Sequence, residues 1–352
     1  MRRNSLLVRI LLQIVFLQIA CLAYAQDKLT PFQIQQALAE KGDAAAQLRL
    51  GEMYFTGQGV TKDNFLAAIW FRKATEQNIP LAQYNLGLMY SNGWGVPKDE
   101  EQGANWIRKA AEQGDAIAQT SLASRYAIGR GVPKDDQQAL VWYRKAAEKQ
   151  YAPAQFQLGL AYTFGRTVPK DSHQGFAWFS KAANQGHPEG QHLLGHIYFE
   201  GSGVDKNLQQ SISWFRKAAD QGNAAALNNL GVLFFGGKGV SADPQMALSL
   251  FRKSAEQGNS HGQMNLGTLY MEGWIVSKDV QQAFNLFLKA AEQGNAEGQY
   301  AVADMYKNGL GVAKNESLAR SWLNKATTHG MMRKVFVLDQ IELFGLSSEA
   351  SE

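Results

Sequence analysis

Residues 79–114 read IPLAQYNLGLMYSNGWGVPKDEEQGANWIRKAAEQG, and this stretch decides the fold. Leu81, Tyr84, Leu86, Leu88, Met89 and Tyr90 recur with helical spacing, so 79–91 predicts a helix. Gly87 stands inside it, although glycine costs a helix roughly 0.5–1 kcal/mol relative to alanine. Such a residue predicts a helix–helix approach too close for a Cβ. Gly93-Trp94-Gly95-Val96-Pro97 ends the helix, with glycines suited to positive φ. Asp99 then caps a second helix, a contribution of about 1 kcal/mol. That helix buries Trp106, Ile107 and Ala110. Lys109 lies in its last turn, where a cation suits the helix dipole, and Gly114 stops it.

The same pattern recurs on either side. Gly51, Gly87, Ala123, Gly159, Gly195, Gly231, Gly267 and Ala303 stand 36 residues apart, with no insertion or deletion. An aromatic follows three residues later, from Tyr54 to Tyr306, and a glycine three further on, from Gly57 to Gly309. Asp or Asn follows at 63, 99, 135, 171, 207, 243, 279 and 315, then a large apolar side chain (Trp70 to Trp322), then lysine from Lys73 to Lys325. The chain therefore tiles as helix A, turn, helix B, over 43–78, 79–114, 115–150, 151–186, 187–222, 223–258, 259–294 and 295–330. One hairpin cannot bury both its faces. Stacked neighbours share a core, which makes the expected fold an all-α solenoid.

The flanks complete the expectation. Residues 26–42 hold an orphan helix B, opened by Thr30-Pro31, that caps the first repeat. Residues 331–352 hold a capping helix and an acidic tail. Residues 1–25 resemble a secretory signal: Arg2, Arg3 and Arg9, an apolar run from Ile10 to Ala20, then Ala23-Tyr24-Ala25. The run is about half the ~20 residues a bilayer span needs, so no stable membrane span is expected. Cleavage after Ala25 predicts a periplasmic or secreted protein. The alternative is a lipoprotein anchored through Cys21, the single cysteine. Cleavage after Ala25 would leave no thiol, disulfide or zinc–thiolate site. It would also leave 32 basic against 31 acidic residues, a balance that argues against nucleic acid as a partner.

The sequence carries no phosphate loop, dinucleotide glycine motif or nucleophile elbow. The Asp and Lys columns occur in every repeat and read as structural. His192, His196 and Glu200 share one helix face, a spacing that can hold a metal. A zinc-protease motif would place Glu at 193, where Leu193 stands. No catalytic residue, metal or cofactor is therefore assigned.

The pattern A-x-x-x-L-G-x-x-Y-x-x-G-x-G-V-x-x-D…W-F-x-K-A-A-x-Q-G resembles the Sel1-like repeat, a relative of the tetratricopeptide repeat, and the match covers 43–330. The resemblance implies a right-handed α-solenoid with capping helices, used as a protein–protein interaction scaffold, with the A helices lining a concave face. It also implies a role at the envelope or host interface. Some relatives bridge each hairpin with a cysteine pair. This chain has none, so their penicillin-binding activity does not carry over. An envelope enzyme acting on cell-wall peptides, or a lipid-anchored assembly factor, is the alternative. Repeats share one packing problem, so columns that vary between repeats are candidates for binding. Three residues before the repeated glycine, one after it and four after it, these columns are rich in aromatics, Met and His. They give a candidate groove of Tyr84, Leu88, Phe156, Leu160, His192, His196, Phe199, Asn228 and Phe235 for a protein or peptide partner. The competing reading is that these residues only pack neighbouring A helices together. Trp94 and Trp274 lie in turns, where they cover the end of their own hairpin or serve as edge anchors.

Overall fold

The computed structural model describes residues 29–328. The leader, Cys21 and the C-terminal capping segment 331–352 lie outside the described residues. Among those described, every regular element is a helix.

The chain divides into two compact units at Lys149/Gln150. The N-terminal unit begins with α1 (Pro31–Glu40). Three hairpins follow: α2 (Ala44–Thr56) with α3 (Asn64–Glu76), α4 (Pro80–Asn92) with α5 (Glu100–Glu112), and α6 (Ala116–Ile128) with α7 (Asp136–Glu148). The C-terminal unit holds five. They are α8 (Ala152–Phe164) with α9 (Ser172–Asn184), α10 (Pro188–Glu200) with α11 (Leu208–Asp220), and α12 (Ala224–Gly236) with α13 (Pro244–Glu256). The last two are α14 (Ser260–Glu272) with α15 (Val280–Glu292), and α16 (Ala296–Asn308) with α17 (Glu316–Thr328). α1 opens with the expected cap: the Thr30 hydroxyl accepts from the Gln33 amide, and the Gln33 side chain answers at the Thr30 amide.

The Asp/Asn column caps the B helices as expected. Asp63 accepts from the Leu66 amide at 3.0 Å, Asp99 from Gln102 at 2.8 Å, and the pattern runs to Asn315 and Leu318. A second set of caps opens the A helices, with Asp43, Asp115, Asn223, Asn259 and Asn295 accepting from the residue three later. At His187 the acceptor is a ring nitrogen, Nδ1, 3.1 Å from the Gly190 amide.

The glycine within helix A marks the close approach the sequence predicts. A Cβ built on Gly51 would lie 2.6 Å from the Phe71 ring, and one on Gly231 2.6 Å from Phe251. The aromatic of helix B therefore seats in a notch left by the missing side chain. Buried glutamines tie A helices to the preceding B helix, as where Gln119 donates to the Ala111 carbonyl at 3.0 Å. A glutamine just after helix B ties back to the A helix of its own hairpin, as where Gln113 donates to Gln83 at 2.7 Å. Where Leu227 replaces the glutamine, the Ser254 hydroxyl donates to the Ala224 carbonyl instead. Where helix B carries a tryptophan, the column lysine stands over it: Lys109 Nζ lies 4.1 Å from the Trp106 ring centre and Lys217 3.7 Å from Trp214. It is thus a cation–π contact as well as a helix-end charge.

Candidate functional site

The candidate residues fall into two groups, one in each unit. Tyr84 and Leu88 lie on α4 of the N-terminal unit. Between α2 and α4 opens a cleft of about 320 Å³, lined by Leu88 but not by Tyr84. Its apolar walls are Phe55, Leu88 and Trp94, and its floor is Phe71 and Met89. Thr56, Gln58 and Asn85 line it as well, together with Arg49 and Glu52, which pair at 3.2 Å. Trp94 stays 40% exposed while its ring meets Phe55 at 5.5 Å and 46°. Trp94 therefore reaches back to the A helix of the preceding repeat. This corrects the expectation that it covers its own hairpin.

The C-terminal unit treats the same columns differently. Phe235 and Trp274 stand 180 residues, or five repeats, after Phe55 and Trp94. Their rings stack at 5.9 Å and 26°, but α12 and α14 pack directly on one another there. Asn228 is 1% exposed and accepts from the Asn265 amide at 2.7 Å. Its place in an open groove is a correction: α14 packs against α12, so Asn228 faces a neighbour and not solvent. Phe199 and Phe235 are half-buried against the core of this unit. Phe156 stacks on His187 at 4.9 Å and meets Phe179 at 5.7 Å, and Leu160 is half-buried.

His192 and His196 meet edge to face at 4.9 Å, and both point Nε2 at one atom. The Asn229 amide nitrogen lies 3.1 Å from the first and 2.8 Å from the second. One amide nitrogen has two hydrogens, so it satisfies both rings as neutral acceptors. Burial pushes the His192 imidazole down to about 3, with His196 adding to the effect. Burial also takes His196 down to about 4, aided by His261. The point on which both imidazoles converge is thus held by an amide. Among the described residues no three potential ligands gather into a metal site.

The reading by columns missed Asn85 and Asn229. Both stand two residues before the repeated glycine, in a column that reads Arg49, Asn85, Ser121, Gln157, Leu193, Asn229, Asn265, Ala301. That column varies as much as the three chosen, so the same criterion would have found it.

Comparison with known proteins places this architecture. A family model, Sel1 repeat, matches eight consecutive segments: 44–79, 80–115, 116–151, 152–187, 188–223, 224–259, 260–295 and 296–331. The chain belongs to the Sel1-repeat family. Sel1-repeat proteins act as protein-interaction scaffolds. A protective antigen present in uropathogenic Escherichia coli strains, with an SLR fold, is 40% identical at a TM-score of 0.68 over 86% of this chain. The chain spans 65% of that antigen's length. A Sel1 repeat protein from Oxalobacter formigenes is 32% identical at a TM-score of 0.59, covering 88% of this Sel1-repeat protein and 90% of its own length. No curated protein matches the chain. No described helix is long and apolar enough to cross a membrane.

Proposed function

We propose that this Sel1-repeat protein is an exported scaffold that holds a protein or peptide on its A-helix faces, with no covalent chemistry of its own. The observation that carries the reading is the open aromatic cleft of α2 and α4. Its side chains vary from repeat to repeat far more than the caps, notches and glutamine stitches around them. Half-buried aromatic walls offer much contact area at low entropic cost. Phe156, Leu160, Phe199 and Phe235 extend the same columns into the C-terminal unit, and Tyr84 lies beside the cleft on α4.

An enzyme would need a polar cluster confined to one region. His192, His196 and Asn229 form such a cluster, but the Nε2 of each ring is occupied by the Asn229 amide and burial favours the neutral rings. A general base needs a pKa near the working pH, and this arrangement does not supply one.

The test compares the mature chain with a Phe55→Ser/Leu88→Ser variant of equal melting temperature, each immobilised and exposed to envelope extract. The variant is expected to lose the proteins that the parent retains. Equal capture by both would overturn the assignment of this face. Export rests on the leader pattern of residues 1–25. The mass of the secreted chain is expected to begin at Gln26, whereas an acylated Cys21 would mark a lipoprotein.

A further inference from the structure

We propose that the α2/α4 cleft is a subsite for an extended peptide, whose backbone pairs with the Asn85 amide while one large apolar side chain enters between Phe55, Leu88 and Trp94. The inference rests on the interaction reading above and adds the chemistry of the occupant. Asn85 is half-buried and its side chain lines the cleft, yet it has no hydrogen-bond partner among the described residues. Asparagines in the same column of later repeats are fully engaged, Asn229 with two histidines and Asn265 with Asn228. The free amide is therefore a particular feature of this cleft and not a habit of the column.

A side-chain amide presents donor hydrogens beside an acceptor oxygen. A peptide backbone in an extended conformation presents the complementary pair, and neither group tolerates burial without a partner. A side chain that fills the cleft brings its own backbone against the Asn85 wall. At about 320 Å³ the cleft lies at the small end of ligand sites, ~300–1,000 Å³. It has room for one large side chain and its flanking backbone, and none for a folded domain. Phe71 and Met89, 2% and 1% exposed, make the floor apolar. That floor favours an aliphatic or aromatic side chain over a sugar, whose hydroxyls would face it unpaired. Arg49 and Glu52 satisfy each other at the mouth, so the rim carries no net charge to attract an ionic group. Phe55 already braces Trp94, which means the wall is built before the ligand arrives and little ordering remains at binding.

The experiment selects phage-displayed random 12-residue peptides on the whole mature protein, with an Asn85→Leu variant as the counter-selection. Synthetic copies of the winners are then titrated by calorimetry. Enriched peptides are expected to share one large apolar residue. Their affinity should fall at least tenfold with Asn85→Leu, and similarly when one backbone amide beside that residue is N-methylated. It should stay unchanged with Met246→Ser, on the exposed side of α13 and outside the candidate groove. Peptides that bind equally well to the Asn85→Leu variant would overturn the subsite and leave the scaffold reading standing. Failure to enrich any peptide, or binding of cell-wall glycan fragments in place of peptide, would overturn it as well. The scaffold reading itself falls only if envelope proteins are also not retained.

Discussion

Phe55 with Trp94, and Phe235 with Trp274, are the same pair of positions five repeats apart. Around the first pair the A helices leave a cleft, whereas around the second α12 and α14 close on each other. The difference lies in the neighbours. Next to Phe55 stand Arg49, Glu52 and Asn85, polar groups that line the cleft. The equivalent positions of the second pair hold Asn229, Val232 and Asn265, all buried. Val232 adds apolar area, and the asparagines satisfy one another and the histidines. An identical repeat length therefore yields either an open or a filled site, according to whether the polar side chains have partners inside the chain.

The strongest way to break the comparison is at the turns that hold the two tryptophans. Gly95 adopts φ 68°, and a Cβ there would lie 2.2 Å from the Asn64 carbonyl oxygen. The equivalent residue after Trp274 is Ile275, held at φ 65°, a strained conformation for a β-branched side chain. Gly95→Ile should cost about 4 kcal/mol, from left-handed strain and from backbone collision. The reverse change, Ile275→Gly, relieves that strain but removes a side chain packed on the core, so it should change stability by less than about 1 kcal/mol. Chemical denaturation of the two variants checks both magnitudes.

The asparagines sharpen the contrast. Asn229→Leu removes the one donor shared by His192 and His196, leaving two buried acceptors, and should cost about 3 kcal/mol. Asn85→Leu, at the equivalent column of the open cleft, should change stability by less than about 0.5 kcal/mol because no internal partner is lost. Melting temperatures of the two variants decide this, and equal losses would show that the cleft is a packed interior.

Acid should separate the two units. All six histidines follow residue 150, so the N-terminal unit has none. Burial lowers His187, His192 and His196 below the ordinary imidazole value of 6.5. The unfolded chain therefore binds protons that the folded chain refuses. This contribution to stability is complete above pH 6.5 and is lost as pH falls toward the folded values of about 3 and about 4. At pH 5.5 the loss is on the order of 1 kcal/mol for each of His192 and His196. His187 adds in the same direction, since a protonated Nδ1 can no longer cap α10, although the Glu189 carboxylate 3.5 Å away opposes this. Hydrogen exchange followed by mass spectrometry at pH 7 and 5.5, corrected for intrinsic rates, should show opening confined to α10–α14. Equal opening of α2–α6 would contradict it.

Much of this was legible in the residues. The 36-residue period, the Asp/Asn caps of the B helices and the notch glycines all act within one hairpin, so their physical reasons lie within a single repeat. Periodicity exposes such local requirements directly. The glutamine stitches recur in most repeats but passed unread, because those that span 30 residues resemble surface composition until burial is known.

What the sequence alone determined is the unit of construction and its direction: two capped helices, tightly apposed, repeated without slip. Which variable side chains remain available was decided only by tertiary structure. Asn85 and Asn229 occupy one column and differ only in what the adjacent repeats bring to them. A free amide and a satisfied one are chemically the same residue. Contact with a neighbour 30 to 40 positions away separates them, and no local pattern encodes that contact.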